Sequence, residues 1–172
     1  MTVYTIGHST RPLADFLALL AAHGIEQLVD IRSIPRSRRH PHFASDKLAA
    51  SLQDAGIAYV HSPALGGMRK PRPDSRNTAW RVDGFRGYAD YMETEPFRGA
   101  IDELIALGQG RPTAIMCAEA VWWRCHRQLV ADALVARGID VRHITSLVAA
   151  PEHTLTDFAQ VADGVVTYRR LI

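Results

Sequence analysis

The amino-acid sequence predicts a single three-layer α/β domain with a mainly parallel sheet of about five strands, Rossmann-like or flavodoxin-like. The first observation is a junction that recurs at Gly24-Ile25, Gly56-Ile57 and Gly138-Ile139, where a helical stretch ends at glycine and an apolar run begins. A left-handed glycine ends a helix in this way, and a strand follows at once. The second observation is that helices and apolar strands alternate along the chain, which predicts a parallel sheet with helices on its faces.

The predicted elements follow one another in a regular order. Strands are expected at 3–6, 27–31, 57–61, 113–117 and 141–144, and helices at 12–22, 45–55, 88–107 (one helix or a pair) and about 123–136. Ser45 is the expected N-cap of the second helix. A long irregular segment covers 62–84, and the C-terminal tail, 151–172, is expected to hold one helical turn and a short strand at 165–168. For the order of the strands we expect the flavodoxin pattern.

The length and composition fit an ordinary globular protein of one domain, 1–172. The hydrophobic content is 47%, the charged content is 22% and the net charge is +2, so composition alone does not require a nucleic-acid partner. Two cysteines are too few for a disulfide framework. No signal peptide and no apolar run long enough to cross a membrane is visible, so we expect a cytoplasmic protein, no membrane partner, and cysteines that are free thiols or ligands.

Polar side chains follow the predicted strands at the point where each strand ends. Because ligands bind at the carboxyl ends of strands in open α/β sheets, these residues are expected to share one site. The set comprises His8 and Arg11 after the first strand, Arg32 and Arg36 after the second, His61 at the third, Cys117 and Glu119 at the fourth, and His143 at the fifth.

The strongest single signal is the segment 115–127, IMCAEAVWWRCHR. An apolar strand ends at Cys117, and Cys125, His126 and Arg127 open the next helix. A thiol near a helix N-terminus and beside arginines has a lowered pKa, so Cys117 or Cys125 is a candidate nucleophile or metal ligand. Cys125 also shares a helical face with Leu129 and Ala133, which favours a place in the core for this residue.

Three sharper interpretations of the segment stay open. A cysteine phosphatase has five residues between the cysteine and the arginine, whereas six residues separate Cys117 from Arg124 here and include a carboxylate and two indoles. A zinc site would use Cys117, Cys125, His126 or His8, although the spacing of the cysteines is unlike that of a zinc finger. A reversible disulfide between Cys117 and Cys125 is the third interpretation.

Two basic segments add candidate ligand-binding residues. The segment 30–43, DIRSIPRSRRHPHF, carries Arg32, Arg36 and Arg38, whose guanidinium groups suit phosphate or carboxylate, and Asp30 is expected to orient Arg32 by pairing with it. The segment 62–84 combines paired glycines with Arg69 and further arginines and a tryptophan, a pattern that suits a nucleotide base or a single strand. A solvated charged surface is the alternative interpretation. The aromatic residues of 85–92 are expected to pack inward.

The ordered motifs of the chain resemble the family catalogued as domain of unknown function 488 (DUF488). The resemblance rests on YTIGHSTR at 4–11, DIRSIPRSRR at 30–39, LGGMR at 65–69, FRGYADYM at 85–92 and MCAEAVWWRCHR at 116–127. Similar proteins often carry a smaller residue and a proline where this chain has Val121-Trp122-Trp123. The resemblance implies an α/β domain and no particular activity, cofactor or partner.

Taken together, the residues favour an enzyme-like domain that binds an anionic small molecule or nucleic acid; whether it is an enzyme stays open. Cys117 is the expected nucleophile, Glu119 its carboxylate partner, and His8 or His61 the expected proton carrier. The expected ligand-binding residues are Arg11, Arg32, Arg36, Arg38, Arg69, Cys125, His126 and Arg127. The alternatives are a non-catalytic nucleic-acid-binding module, which needs no cysteine, and a metal- or redox-responsive switch built on Cys117 and Cys125. The sequence indicates no cofactor.

Overall fold

Five parallel strands form the central sheet in a computed structural model that describes residues 1–170. The strands are β1 (Thr2–Gly7), β2 (Gln27–Asp30), β3 (Ala58–His61), β4 (Thr113–Cys117) and β5 (Asp140–His143). They lie in the order β3-β2-β4-β1-β5, and every neighbouring pair is parallel. The predicted α/β class with a parallel five-stranded sheet is therefore confirmed.

Five α-helices connect these strands. They are α1 (Leu13–Ala22), α2 (Ser45–Asp54), α3 (Asp83–Tyr91), α4 (Glu95–Gly110) and α5 (Arg127–Ala136), and single 3₁₀ turns form at Pro41–Phe43, Pro63–Leu65 and Trp122–Arg124. The segment expected as one helix or a pair is a pair, α3 and α4. Gly24, Gly56 and Gly138 follow α1, α2 and α5 with φ angles of 68°, 75° and 79°, which confirms the glycine junctions.

The helices cover both faces of the sheet and give it three layers. On one face, α1 and α2 contribute Phe16, Leu20 and Leu48 to a buried cluster with Leu28 and Met116 of the sheet. On the other face, α3, α4 and α5 pack their apolar residues against the alternate side chains of the same strands. The inner strands β2 and β4 are buried at every position, whereas the edge strands β3 and β5 are only partly buried and carry polar residues.

Three expectations are wrong in detail. The strand order is not the flavodoxin order, because β4 inserts between β1 and β2, and a helix–strand pattern says nothing about where a strand inserts. Ser45 is the first residue of α2 rather than its N-cap; Ala44 holds that position without a side-chain hydrogen bond. The tail contains the expected strand as β7 (Val165–Thr167), but it pairs antiparallel with a second strand, β6 (Gln160–Ala162), and the expected helical turn is absent from residues 151–170. Leu171 and Ile172, the last residues of that tail, lie outside the described residues.

The sheet has its crevice beside β4. The helix that follows β4 covers one face, whereas the helices that follow its neighbours β1 and β2 cover the other face. The loops leaving these strands therefore diverge, and this is the position at which open α/β sheets bind ligands. No helix in residues 1–170 is long and apolar enough to cross a membrane.

Candidate functional site

A pocket of about 360 Å³ lies at the carboxyl ends of β2 and β4. Its wall is apolar on the side of Met68, Val82, Phe85 and Tyr88. The lining also includes six of the residues that the sequence singled out, which the fold brings together from three separate segments: Arg32, Arg36, Cys117, Glu119, Cys125 and His126. The fold therefore brings half of the predicted set to the lining of this pocket.

The chain after β4 passes close to the end of β1. The ladder between the two strands continues past them, since the backbone N–H groups of His8 and Ser9 donate to the carbonyls of Cys117 and Ala118, both at 3.0 Å. A Cβ atom added to Gly7 would lie 1.7 Å from the carbonyl oxygen of Glu119. Glycine is thus required at position 7 by the close approach of another backbone.

The two cysteines lie together as free thiols at the base of this pocket, with Cys117 1% and Cys125 7% exposed. Burial opposes ionisation of Cys117, yet the neighbouring Cys125 thiol and the positive charge of Arg127 bring its pKa below the usual value for a thiol. The neighbouring Cys117, together with burial, raises the pKa of Cys125. The surroundings therefore favour loss of a proton from Cys117 over loss of a proton from Cys125.

His126 extends the thiol pair with a defined tautomer. Its Nε2–H donates to the carbonyl of Ile31 at 2.9 Å, so its Nδ1 is the unprotonated nitrogen and lies 3.4 Å from the Cys125 sulfur. Burial lowers the pKa of His126, which keeps the ring neutral near pH 7. The Cys125 sulfur also accepts the backbone N–H of Arg127 at 3.5 Å, at the start of α5.

Arg127 is the most unusual residue of the site. It is 1% exposed, and among residues 1–170 no carboxylate forms a salt bridge with it. Its guanidinium donates to the carbonyls of Glu119 (3.1 Å) and Ala120 (3.2 Å) and to the hydroxyl of Thr5 (3.3 Å), and its Nε has no partner. A buried cation without a neighbouring anion is costly, and it favours a negative charge on the nearby Cys117 sulfur.

Arg32, in contrast, has a complete counter-ion. Asp30 is fully buried and accepts the Arg32 Nε–H at 2.9 Å and Nη2–H at 2.6 Å, so the predicted pairing is confirmed. The Tyr59 hydroxyl donates to the same carboxylate at 2.6 Å. The Nη1 of Arg32 lies 3.4 Å from the Nε2 of His8, and burial together with the charge of Arg32 lowers the pKa of His8 to about 4. His8 is therefore a neutral ring behind Arg32 rather than part of the pocket lining.

The remaining predicted residues lie outside the pocket lining. His61 donates its Nε2–H to the carbonyl of Arg32 at 2.8 Å and so holds the loop after β2. Arg11 bonds the carbonyl of Gly7 at 3.1 Å, and Arg69 lies 3.7 Å over the ring of Tyr91 as a cation–π pair. Arg38 is exposed. Arg127 lies beneath the pocket and acts on it through the thiols and the carbonyls of the loop.

Sequence reasoning missed several polar residues that support the site. Thr5, Asp132 and His153 are buried and hydrogen-bonded in the layer beneath Arg127, and Tyr59 completes the Asp30 pair. Asp132 lies within an apolar helix and His153 in the tail, so only their residue type, a charged or titratable group in a core segment, signalled a role. In residues 1–170 no group of three or more His, Cys, Asp or Glu side chains is arranged to hold a metal ion.

A protein-family model, Domain of unknown function DUF488, matches residues 12–134. The chain belongs to this family. The match contains β2, β4, the start of α5 and every residue named in the pocket lining, and the YTIGHSTR motif at 4–11 lies just before it. No curated protein and no solved structure matches the chain.

Proposed function

We propose that this DUF488 protein is a thiol-dependent enzyme whose pocket binds a small organic anion. The observation that carries the proposal is Arg127, a buried guanidinium without a carboxylate partner in residues 1–170, close to two buried thiols. A protein core does not retain such a charge for stability, since an apolar residue of similar size is often as stable or more so. Its benefit is a Cys117 thiolate at neutral pH.

The anion is attracted by the rim of the pocket. Arg36 and Arg124 are exposed lining residues, and neither guanidinium has a salt bridge within the described part of the chain. Arg32 is neutralised by Asp30, so it orients a ligand more than it adds charge. Two unpaired guanidinium groups opposite the single carboxylate of Glu119 leave the rim positive, which suits a phosphate or carboxylate group.

The rest of the ligand meets an apolar wall. Met68, Val82, Phe85 and Tyr88 give the pocket lining apolar surface. The volume of about 360 Å³ is that of a small-molecule site. These features favour an anion with an apolar or aromatic part, of the size of a mononucleotide, over a free inorganic ion.

The chemistry that fits is nucleophilic. The Cys117 sulfur forms a bond to an electrophilic carbon or phosphorus of the ligand, and the leaving group departs with the electron pair of the broken bond and takes a proton from solvent. Water or a second substrate then displaces the sulfur and restores the thiolate. His126, with its unprotonated Nδ1 beside Cys125, and Glu119 at the rim are the groups placed to accept a proton in the second step.

Two alkylating reagents test the proposal as a matched pair, because iodoacetate is an anion and iodoacetamide is neutral. In both reactions a thiolate displaces iodide. We expect the ratio of the iodoacetate rate to the iodoacetamide rate at Cys117 to exceed the ratio for glutathione by about tenfold or more, and the excess to shrink as salt is added. The adduct is located on Cys117 or Cys125 by mass spectrometry of peptides.

The variants Arg36→Ala and Arg124→Ala should remove most of that excess while the iodoacetamide rate stays the same. Arg98→Ala, an exposed arginine of α4, is the matched control and should change neither rate. Anion binding at this pocket is contradicted if the ratio of the iodoacetate rate to the iodoacetamide rate at Cys117 of the wild-type protein equals the ratio for glutathione. It is also contradicted if that ratio is the same in both rim variants as in the wild type.

A nucleic-acid-binding module is the second candidate, favoured by Arg38 and Arg39, which are exposed close to Arg36 in the chain and have no salt bridge in residues 1–170. Such a module would bind a single-stranded oligonucleotide with an affinity that falls steeply with salt, and Cys117→Ser would leave that affinity unchanged. If a mononucleotide protects Cys117 from alkylation and the oligonucleotide does not, the result favours the enzyme.

A further inference from the structure

A buried chain of hydrogen bonds leads away from Arg127 and ends at a carboxylate. Arg127 Nη1 lies 3.3 Å from the Thr5 hydroxyl, which lies 2.6 Å from Nδ1 of His143. The His143 Nε2 lies 2.8 Å from Nδ1 of His153, whose Nε2 lies 2.7 Å from Oδ1 of Asp132. All five residues are less than a tenth exposed. The chain joins β1, β5, the tail and α5 into one polar layer.

The two ends of this chain of hydrogen bonds have fixed roles. A guanidinium only donates, so the Thr5 oxygen accepts from Arg127, and a carboxylate only accepts, so the Nε2–H of His153 donates to Asp132. With one proton on each ring, the free Nδ1 of His153 accepts the Nε2–H of His143, and the free Nδ1 of His143 accepts the hydroxyl hydrogen of Thr5. In that arrangement all the hydrogens point from the cation to the anion.

The anion at the far end is well held. Asp132 is fully buried, and its two oxygens also accept the backbone N–H of Thr156 (3.1 Å), the Thr156 hydroxyl (2.8 Å) and the Tyr168 hydroxyl (2.7 Å). In agreement with a neutral His143, burial, with Arg127 nearby, lowers the pKa of His143 to about 3.

We propose that Asp132 is the remote counter-ion of Arg127, and that Thr5, His143 and His153 are positioning residues which connect the two charges while keeping them apart. The inference rests on the proposed function. A carboxylate in direct contact would cancel the field of Arg127 at Cys117, whereas a chain of neutral groups anchors the guanidinium and leaves its positive charge facing the thiols. The chain therefore sets the acidity of the nucleophile from the opposite side of the core.

The chain is also shielded from solvent near the pocket. Trp122, in the turn that precedes Cys125, stacks on His143 with ring centres 4.1 Å apart and planes 4° from parallel. The titratable groups that face the two histidines are Arg127 and Asp132 from α5 and Tyr168 after β7. Burial and the adjacent carboxylate raise the pKa of Tyr168 well above its usual value, so Tyr168 stays a neutral donor.

The chain of hydrogen bonds from Arg127 to Asp132 is tested by ¹⁵N NMR of the wild-type protein with labelled histidine. We expect His143 and His153 to show the same tautomer, with Nε2 protonated and Nδ1 free, between about pH 5 and pH 8. A proton on Nδ1 of His143, or an imidazolium signal from either ring in that range, would overturn the inference. This readout does not depend on the reactivity of any thiol.

The effect on the thiol is tested with Thr5→Val, which keeps the shape of a buried residue and removes the hydroxyl that links Arg127 to His143. We expect the pH midpoint of Cys117 alkylation to rise by about one unit, because the guanidinium loses its anchor and moves away from the sulfur. Thr113→Val is the matched control: Thr113 is also fully buried and hydrogen-bonded, on the neighbouring strand β4 but at its opposite end. The pH midpoint of Cys117 alkylation in Thr113→Val should equal that of the wild type.

The outcomes separate the two proposals. A wild-type midpoint equal to that of an ordinary thiol contradicts the proposed function. A low wild-type midpoint that Thr5→Val leaves unchanged contradicts the remote counter-ion and leaves the thiolate standing. If Thr5→Val does not fold, the histidine tautomers of the wild type decide.

Discussion

Replacing Arg127 by methionine separates the two roles that a buried arginine can have. Methionine has a similar length and no charge, so the variant removes the cation and keeps most of the packing. If Arg127 serves the thiolate, Arg127→Met should lower the reactivity of Cys117 at little cost in stability. If Arg127 only fastens the loop after β4, the same variant should unfold easily and leave the thiol as it was.

The size of the expected shift in the Cys117 midpoint follows from the distance between the Cys117 sulfur and the Arg127 guanidinium, which both lie near the Glu119 carbonyl oxygen. The Glu119 carbonyl oxygen lies 3.5 Å from the Cys117 sulfur and 3.1 Å from Nη2 of Arg127. The sulfur and Nη2 are therefore within about 7 Å, where an effective dielectric constant of about 20 gives an attraction of about 2 kcal/mol, or between about one and two pH units. We expect the alkylation midpoint of Cys117 to rise by that amount in Arg127→Met.

Stability should change much less. The variant loses three hydrogen bonds of Arg127, to Thr5, Glu119 and Ala120, and it also loses the cost of burying a guanidinium that no carboxylate contacts directly. These contributions are each a few kcal/mol and opposite in sign, so we expect a change in Tm below about 6 °C. Iodoacetamide kinetics against pH and thermal unfolding measure the two effects, with Arg137→Met at the exposed end of α5 as control. A large fall in Tm with an unchanged midpoint would refute the reasoning.

Three further predictions concern the frame of the site. Gly7→Ala should lower the free energy of unfolding by about 2 kcal/mol or more, because its Cβ would meet the Glu119 carbonyl at 1.7 Å. Gly99→Ala, in an open position of α4, should stabilise the protein slightly. Urea unfolding compares the two variants with the wild type. Asp30→Asn should cost about 3–5 kcal/mol in the same assay, because the buried guanidinium of Arg32 loses its counter-ion, and Tyr59→Phe should cost about 1–2 kcal/mol; equal losses would contradict the pairing. The pKa of His8 is lowered from 6.5 to about 4 in the folded state, so between these pH values the unfolded chain binds a proton that the folded protein does not. The free energy of unfolding should therefore fall as the pH drops from about 6.5 to 4, and it should fall less in His8→Gln. Parallel pH profiles of the two proteins would exclude His8 as the cause.

The sequence predicted those parts of the fold that local chemistry determines. Gly24, Gly56 and Gly138 marked the ends of helices because a left-handed residue is needed there, and the fully buried strand β4 was visible as an apolar run ending at Cys117. The insertion of β4 between β1 and β2 was not visible, because strand order depends on how whole helices pack on the two faces.

The candidate site was likewise predictable only in part. Cys117, Arg32 and Arg36 were predictable because each lies at or directly after a strand end, and parallel strands end at one edge. The isolation of Arg127 from carboxylates and its connection to Asp132 through the core were not predictable, because the partners come from β1, β5 and the tail, far apart in the chain. The tail was the hardest region to interpret, and it supplies His153.

The central claim is that Cys117 is ionised at neutral pH while Cys125 is not. The most direct measurement is the rate of alkylation of each cysteine by iodoacetamide as a function of pH, with each adduct located by mass spectrometry. We expect Cys117 to react with a midpoint at least about one pH unit below that of a free thiol, near pH 8.5, and Cys125 to stay unmodified over the same range. Two cysteines that react only when the protein unfolds, or a Cys117 midpoint at the free-thiol value, would contradict the account.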